Sequence, residues 1–367
     1  MVLLCGLTLE GVLFILHGFR KPLQTHLVKL KIVYTQTLTT PLMIDPKVQD
    51  ILNSNGFGGL HEVASRLSVA DIFKPKQRCG IYVFRCANGD YYCGQSVDVT
   101  RRFVQHKKDA HADMVWLAFK VVPKAQLNEV ERSIVRSLEG EAAVALRNHT
   151  IVSIPPAGEK DLDLVVSPEL QDAWLTDDAA KSDGRRYFES LSHRAKYTKK
   201  FGKFLGNIAY THDLTDIIRG YLSRCVPYPG LTEYTFWTAS CVVPGLYQDS
   251  SIKALFRLNI YLAEVYTVKA HRDGSLAHSF HVTASVLKHV KSPDYFGPDI
   301  TFSDHYYETA GSDQMEIIAS TPTAARALLA HPDFINAAKI SNLRLMQKGP
   351  TLHGRYHHID LADWINR

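Results

Sequence analysis

The stretch from Gly80 to Ser96 reads GIYVFRCANGDYYCGQS, and it decides how the middle of this chain folds. Its first arm is rich in β-branched and aromatic residues, and Asn88-Gly89 is the strongest short turn signal, so a β-hairpin is predicted. A two-residue turn would place Tyr82 and Tyr92 on opposite faces. A three-residue turn with Gly89 in the left-handed conformation and a bulge would place them together. If both tyrosines serve one site, the bulged turn or a local twist is predicted.

The next segment, SVDVTRRFVQHKKD at 96–109, predicts an amphipathic helix. At about 100° per residue, Val99, Arg102, Phe103 and His106 fall on one face. Arg102 and His106 are therefore neighbours one turn apart, beside the apolar stripe that packs on the sheet. A solvated basic helix with a snorkelling arginine is the alternative interpretation of the same pattern.

A second helix is predicted for LNEVERSIVRSLEG at 127–140, with Gly140 as its stop. Glu131 lies in the middle of the apolar face of this helix. A carboxylate directed into a core is costly unless it is paired or binds a metal ion. Glu131 is therefore either a metal ligand or the partner of a structural salt bridge, for which Arg102 is a candidate.

These three elements together resemble the GIY-YIG endonuclease family in both residue type and order. GIY stands unaltered at 80–82, and the second signature is Tyr92-Cys93-Gly94, with Cys93 where Ile or Val is usual. The family's Arg-x-x-x-His motif matches Arg102 and His106. The resemblance covers about a fifth of the chain. It implies the catalytic residues Tyr82, Tyr92, Arg102, His106 and Glu131, with Gly80, Gly94 and Asn148 in supporting positions.

The resemblance implies a small α/β module, in which helices flank an antiparallel sheet, and a metal-dependent cleavage of DNA phosphodiester bonds. It implies one divalent ion, Mg²⁺ or Mn²⁺, held by Glu131. Arg102 would bind the scissile phosphate, because its planar fork suits a phosphate better than lysine does. Tyr82 would be the general base, helped toward the phenolate by its neighbours, with His106 taking the proton. Tyr92 would position the water or the phosphate, and Asn148 would support Glu131 or the local backbone.

Basic residues near the module and further along the chain are candidate contacts to nucleic acid. In residues 185–204, lysines and arginines alternate with aromatic residues, a mixture that suits a phosphate backbone with stacked bases. An amphipathic helix with a solvated basic face and an aromatic core side explains the segment equally well. The predicted contacts are Arg101, Lys107, Lys108, Arg194, Lys196, Lys199 and Lys200.

Shifts in composition predict the domain organisation. A chain of 367 residues with 46% hydrophobic and 22% charged residues is expected to form two or three globular domains. Residues 43–77 are predicted as a helical lead-in, and residues 78–150 as the module of hairpin, helix, strand and helix. An acidic linker containing Pro and Gly is predicted at 151–184. Residues 185–367 are predicted as an α+β domain of no recognisable family. This domain is expected to select the substrate.

The first 42 residues are apolar, but Glu10 divides them into runs far shorter than the ~20 residues that span a bilayer. They lack a basic start and a small-residue cleavage site, so neither a membrane segment nor a signal peptide is predicted. The alternative is an extension placed before Met43, where a normal helical sequence begins.

The six cysteines contain no C-x-x-C pair, so they are interpreted as reduced thiols of a cytoplasmic protein. The net charge of +5 is compatible with a polyanionic partner without requiring one. His278, His281, His353 and His357 have no recognised metal-binding spacing, so they are interpreted as ordinary strand and loop histidines.

The sequence therefore predicts a Mg²⁺-dependent DNA endonuclease, with a role in restriction, repair or mobile-element cleavage left open. The alternative is a catalytically silent binding or interaction protein that retains the nuclease fold. A double-strand break by an enzyme with one site would need a homodimer or two binding events.

Overall fold

The computed structural model describes residues 44–109, 111–148, 151–155, 159–176, 188–206, 208–241 and 253–366, and only the backbone of 109, 208–213 and 253. The predictions for residues 1–42 therefore lie outside the described residues. Residues 45–367 cluster as one compact unit. The strands are β1 His61–Glu62, β2 Gly80–Cys86, β3 Tyr91–Ser96, β4 Met114–Val121, β5 Trp237–Cys241, β6 Lys253–Ile260, β7 Ala263–Ala270, β8 Leu276–Val282, β9 Ile300–Ser303 and β10 Met315–Ala319. The helices are α1 Pro46–Ser54, α2 Val99–Asp109, α3 Leu127–Ser137, α4 Pro168–Thr176, α5 Leu191–Leu205, α6 Ile208–Cys225, α7 Pro229–Thr232, α8 Pro322–Ala330, α9 Pro332–Gln347 and α10 Ile359–Ile365.

The predicted module is present: hairpin β2–β3, helix α2, strand β4 and helix α3 follow one another as expected. Its sheet has four antiparallel strands in the order β1-β4-β2-β3. The core of the module contains Phe84, Phe103 and Leu117, all fully buried. This confirms the mixed α/β class, because the strands supply one apolar face and α2 covers it.

The hairpin has the three-residue turn that places both tyrosines on one face. Tyr82 pairs with Gly94, and Phe84 pairs with Tyr92. The amide of Cys86 donates to the carbonyl of Asp90 at 2.8 Å, and Gly89 between them has φ +96°. The bulged turn is confirmed. Because side chains alternate along a strand, this register aligns residues 82, 84, 92 and 94 on the same face.

The C-terminal region is an α+β structure built on a second antiparallel sheet with the order β5-β6-β7-β8-β10-β9. Helices α6, α8, α9 and α10 contribute to its large apolar core, in which Trp237, Tyr266 and Phe280 are fully buried. Strand β10 lies between β8 and β9. After β8 the chain therefore forms the edge strand β9 first, and β10 then fills the position between them. The α+β class predicted for residues 185–367 is confirmed.

Several local predictions are wrong. The lead-in predicted as helical at 43–77 is only partly so: after α1, His61–Glu62 pairs with β4 as a short strand. Regular α-helix ends at Ser137 and not at Gly140: a π-helical turn continues to Ala142, and Ala143 takes the left-handed conformation with φ 54°. Within the predicted linker, α4 is ordered and its Trp174 lies in the large C-terminal core. The domain boundaries themselves stay a prediction.

Among the residues that the structure describes, no helix is both long and apolar enough to cross a bilayer.

Candidate active site

The centre of the site is a hydrogen-bonded group of three side chains from β2 and α2. The phenol oxygen of Tyr82 lies 2.8 Å from Nε2 of His106. Nε of Arg102 donates to the same phenol oxygen at 3.3 Å. Asp98 accepts from the amide of Thr100 at 3.0 Å, which caps the start of α2 and fixes its first turn. The predicted face of α2 is therefore the one that meets the hairpin.

Burial sets the protonation states of this group. It raises the pKa of Tyr82, the nearby Tyr92 adds to the rise, and the hydrogen bond from Arg102 opposes it. Burial also lowers the pKa of His106 to about 4, with smaller contributions from the charges of Arg102 and His111. At neutral pH, His106 is therefore uncharged, so in the tautomer that is protonated at Nδ1 its Nε2 accepts the hydrogen bond of the Tyr82 hydroxyl. The expected assistance toward a Tyr82 phenolate is not found, because burial outweighs the arginine.

Tyr92 lies beside this group on the next strand. Its ring centroid is 6.1 Å from that of Tyr82 and 5.1 Å from that of His106. Burial raises the pKa of Tyr92, whereas the charge of Arg102 lowers it. Gly94 is confirmed as a point of close approach, because an added Cβ would lie 2.5 Å from the Tyr82 ring. The glycine therefore makes the space that the Tyr82 ring occupies.

Glu131 lies half-buried on α3, and its Oε2 accepts from Nε2 of Gln95 at 2.8 Å. Burial raises the pKa of Glu131, Gln95 lowers it, the charge of Glu308 raises it and that of Arg102 lowers it. The carboxylate also raises the pKa of Tyr92, which places its charge near both the tyrosine and the arginine. The structure thus brings together the five residues that the sequence singled out. Among the described residues, Glu131 forms no ion pair with Arg102, so the salt-bridge alternative has no support there.

The donors around Glu131 fit a hard divalent ion. The predicted site provides one carboxylate, that of Glu131, and Nε2 of Gln95 donates to one of its oxygens. The same Gln95 nitrogen donates to the side-chain amide oxygen of Asn128 at 2.6 Å. Mg²⁺ commonly takes one or two carboxylates and completes its shell with water and phosphate oxygens. Within the described residues, a group of three metal-ligating side chains is found elsewhere and not here.

Asn148 supports the backbone of β3. Its Oδ1 accepts from the amide of Cys93 at 3.1 Å, and its Nδ2 donates to the carbonyl of Cys93 at 2.6 Å. This pair of bonds imitates a neighbouring strand beside Cys93, between Tyr92 and Gly94. Cys93 is fully buried, as expected for an apolar strand position.

Gln95, His111 and Arg147 were missed at the sequence level. Gln95 orients Glu131, and His111 packs its ring 4.7 Å from Tyr92 and 5.0 Å from His106. Arg147 forms ion pairs with Asp90 at 3.0 Å and Asp113 at 2.8 Å, which joins the hairpin turn to the start of β4. Only the alternation of β3, which places Gln95 and Cys93 on the face opposite Tyr92, could have drawn attention to Gln95.

The predicted nucleic-acid contacts fall into two groups. Lys107 donates to the carbonyls of Ala64, Ala112 and Met114 at 3.1–3.2 Å, so its ammonium is engaged by the protein. Arg194 is likewise engaged, by three carboxylates at 2.5–2.7 Å. The exposed members are Arg101, Lys108, Lys196 and Lys199, whereas Lys200 is half-buried.

The aromatic residues of α5 face inward. Tyr197 and Phe204 are buried, and Tyr197 stacks on His358 with ring centroids 4.2 Å apart. Lys196 and Lys200 lie over the Tyr197 ring. This arrangement corresponds to the amphipathic-helix interpretation, with aromatic core residues and a basic outer face. Arg185, Arg186 and Tyr187 lie outside the described residues.

Comparison with known proteins agrees with this geometry. Residues 78–140 match the model of the GIY-YIG catalytic domain. Two UPF0213 proteins of Vibrio cholerae, from strains of the Classical Ogawa and El Tor Inaba types, are each 57% identical to the chain over 28 residues. This alignment covers 8% of the chain and 28% of each relative, so the chain spans about a quarter of their length. No solved structure matches the chain. Residues 78–140 are thus a GIY-YIG catalytic domain, and this part of the chain is related to a family of nucleases.

Proposed function

We propose that this protein is an endonuclease that hydrolyses DNA phosphodiester bonds at the site of Tyr82, Tyr92, Arg102, His106 and Glu131. The observation that carries the proposal is the 2.8 Å contact between the Tyr82 phenol and the neutral His106 imidazole, with Arg102 on the same oxygen. A tyrosine placed between an arginine and a proton acceptor is suited to proton transfer.

The residues divide the reaction between them. As water attacks the phosphorus, its proton passes to the Tyr82 oxygen while the phenol proton passes to Nε2 of His106. No free phenolate forms, which removes the obstacle of the raised Tyr82 pKa. The new P–O bond forms as the bond to the leaving oxygen breaks. Arg102 is half-buried, and its guanidinium would pair with the phosphate while Tyr92 orients the reacting groups.

Glu131, oriented by Gln95, would hold a divalent ion, Mg²⁺ or Mn²⁺. When bound, such an ion would neutralise charge on the phosphate and leaving oxygens.

A plasmid-nicking assay with Mg²⁺ tests the proposal. Glu131→Ala is expected to reduce the cleavage rate by about 100-fold or more, because the site loses its carboxylate ligand. Glu129→Ala is the matched control: Glu129 lies on the same helix and is exposed. Unchanged cleavage by Glu131→Ala would remove Glu131 from the site. The ratio of nicked to linear product also reports whether one site cuts once or an assembled pair cuts both strands.

The rival proposal is a nucleic-acid-binding protein that does not cut. A panel of duplex, forked and single-stranded DNA, together with RNA, separates the two. Binding by the wild type without cleavage of any of these substrates, with either Mg²⁺ or Mn²⁺, would favour the rival.

A further inference from the structure

A second set of metal-ligating side chains lies in the C-terminal sheet, far along the chain from the nuclease residues. His281 on β8 pairs directly with Glu316 on β10, and Glu316 pairs on its other side with Ser303 of β9. His305 follows β9 by two residues. The donor atoms of His281, His305 and Glu316 all lie within 4.8 Å of one another.

Alternation along the strands places these groups on the face of the sheet that is opposite the large apolar core. Phe280 and Val282, the neighbours of His281 along β8, are fully buried members of that core. His281 therefore points to the other face, where a cavity of about 150 Å³ is lined by Thr267, Lys269, Ser279 and Tyr307 as well as the three donors. His281 and Glu316 are buried and His305 is exposed, so the site is enclosed by protein on one side and open to solvent on the other.

The spacing of the donors fits a metal ion. Nε2 of His281 lies 3.1 Å from Nδ1 of His305. Two nitrogens bound to Zn²⁺ at its usual distance are about 3.3 Å apart in a tetrahedron. A simple hydrogen bond between the two imidazoles would also explain that distance, and it is the carboxylate beside both imidazoles that favours a metal ion. Two imidazoles and one carboxylate with an open fourth position form a known ligand set for Zn²⁺.

The surroundings orient the ligands. The Ser279 hydroxyl donates to Oε1 of Glu316, and the Ser303 hydroxyl accepts from the amide of His305 at 3.1 Å. Such outer contacts hold metal-binding side chains in position. Lys269 and Glu264 line the same cavity with opposite charges, and Glu264 is also paired with Arg257 at 2.9 Å. The local charge therefore does not attract a cation by itself, and affinity would come from the donor geometry.

We propose that His281, His305 and Glu316 bind one Zn²⁺ ion, separate from the ion proposed at Glu131. The ion would also anchor the segment that follows β9. The same segment carries Tyr306, whose hydroxyl contacts Arg132, and Glu308, which pairs with Arg132 at 3.2 Å. Arg132 is the residue next to Glu131 on α3, so the zinc site is tied to the helix that carries the nuclease carboxylate.

Zinc binding by the full chain, after chelator treatment, is measured by equilibrium dialysis and by competition with a fluorescent zinc indicator. Once the chelator has been removed and Zn²⁺ added, the wild type is expected to bind one Zn²⁺ per chain. His305→Ala is the decisive variant, because the exposed side chain can be removed without opening the core, and it should weaken binding at least about tenfold. Glu316→Gln should do the same. His271→Ala, in the exposed turn between β7 and β8, is the control and should bind as the wild type does.

Glu131→Ala separates this proposal from the proposed nuclease function, because it should keep the zinc ion whether or not the protein cuts DNA. Co²⁺ provides a spectroscopic reading: the wild type and Glu131→Ala should give the visible absorption of a low-coordinate Co²⁺ site, which His305→Ala should lose. Zinc affinity that is unchanged in His305→Ala, or that disappears in Glu131→Ala, would overturn the proposal. Mg²⁺ competing as well as Zn²⁺ would overturn it as well, since imidazole ligands do not favour Mg²⁺.

Discussion

At the scale of single residues, the site depends on how burial divides protons between Tyr82 and His106. Burial raises the pKa of Tyr82 and lowers that of His106, so both side chains are neutral at pH 7. A neutral phenol can pass its proton to a neutral imidazole only while it accepts another proton from water, whereas a preformed phenolate would have to be stabilised within a largely apolar core. These protonation states are the ones that the proposed relay requires.

Removing the Tyr82 hydroxyl tests this relay. Tyr82→Phe should reduce the cleavage rate by about 10²- to 10⁴-fold, because it removes the group that exchanges protons with water and His106. Tyr91→Phe is the control: it removes another phenol from the same hairpin, one that accepts from the amide of Asp45 at 3.0 Å and not from the proposed catalytic group. Single-turnover cleavage rates measure both. Equal losses in the two variants would contradict a specific role for Tyr82.

The lowered pKa of His106 also predicts a pH dependence of stability. The folded state holds His106 uncharged down to about pH 4, whereas the unfolded chain protonates it near its ordinary value of 6.5. The unfolded state therefore binds more protons between these pH values, and the free energy of unfolding falls as pH decreases through this window. The free energy of unfolding that is lost across this window through His106 is on the order of 3 kcal/mol.

His106→Gln should remove this contribution while keeping a polar partner for Tyr82. In urea denaturation from pH 7 to pH 4, the wild type should lose stability relative to the variant as pH falls, by up to about 3 kcal/mol. A difference between them that stays constant over the window would mean that His106 does not titrate as described.

At the scale of elements, the hairpin is what turns a linear motif into a site. The three-residue turn sets the register in which Gly94 lies opposite Tyr82, and Asn148 fixes the same strand by its two bonds to Cys93. Gly94→Ala should destabilise the protein by about 1–3 kcal/mol and reduce cleavage, because the new methyl group would lie 2.5 Å from the Tyr82 ring.

Gly59→Ala is the matched control, because an added Cβ there meets no atom within 4 Å and its backbone is not in the left-handed region. Thermal unfolding and nicking rates are measured for both variants. If Gly94→Ala were as stable and active as Gly59→Ala, the close packing of the Tyr82 ring on β3 would not matter to the fold.

At the scale of the whole molecule, the net positive charge should strengthen DNA binding through the exposed basic side chains near the site. Arg101 and Lys108 lie exposed on α2, the helix that carries Arg102 and His106. If each contacts one phosphate, the double variant Arg101→Ala/Lys108→Ala should reduce the slope of log K against log salt by about 1.8, measured between about 50 and 200 mM.

Fluorescence anisotropy with a duplex measures this slope, in a Glu131→Ala background that prevents cutting. Lys288→Ala/Lys291→Ala removes the same charge from exposed positions in the C-terminal region and is the control. The same change of slope in both double variants would mean that net charge, and not the α2 surface, governs binding.

The sequence by itself determined the module and its five candidate residues. Turn chemistry and hydrophobic periodicity are local, so the hairpin with its left-handed Gly89 and the inward face of α2 could be predicted from short stretches. The tertiary structure alone decided the protonation of Tyr82 and the role of Gln95, because both depend on burial and on contacts between distant elements. It also brought His281 beside Glu316, since β10 enters the sheet between β8 and β9, and no sequence spacing records that strand order. Interactions between residues near in sequence follow from periodicity, whereas those between distant strands follow from how the sheet is assembled.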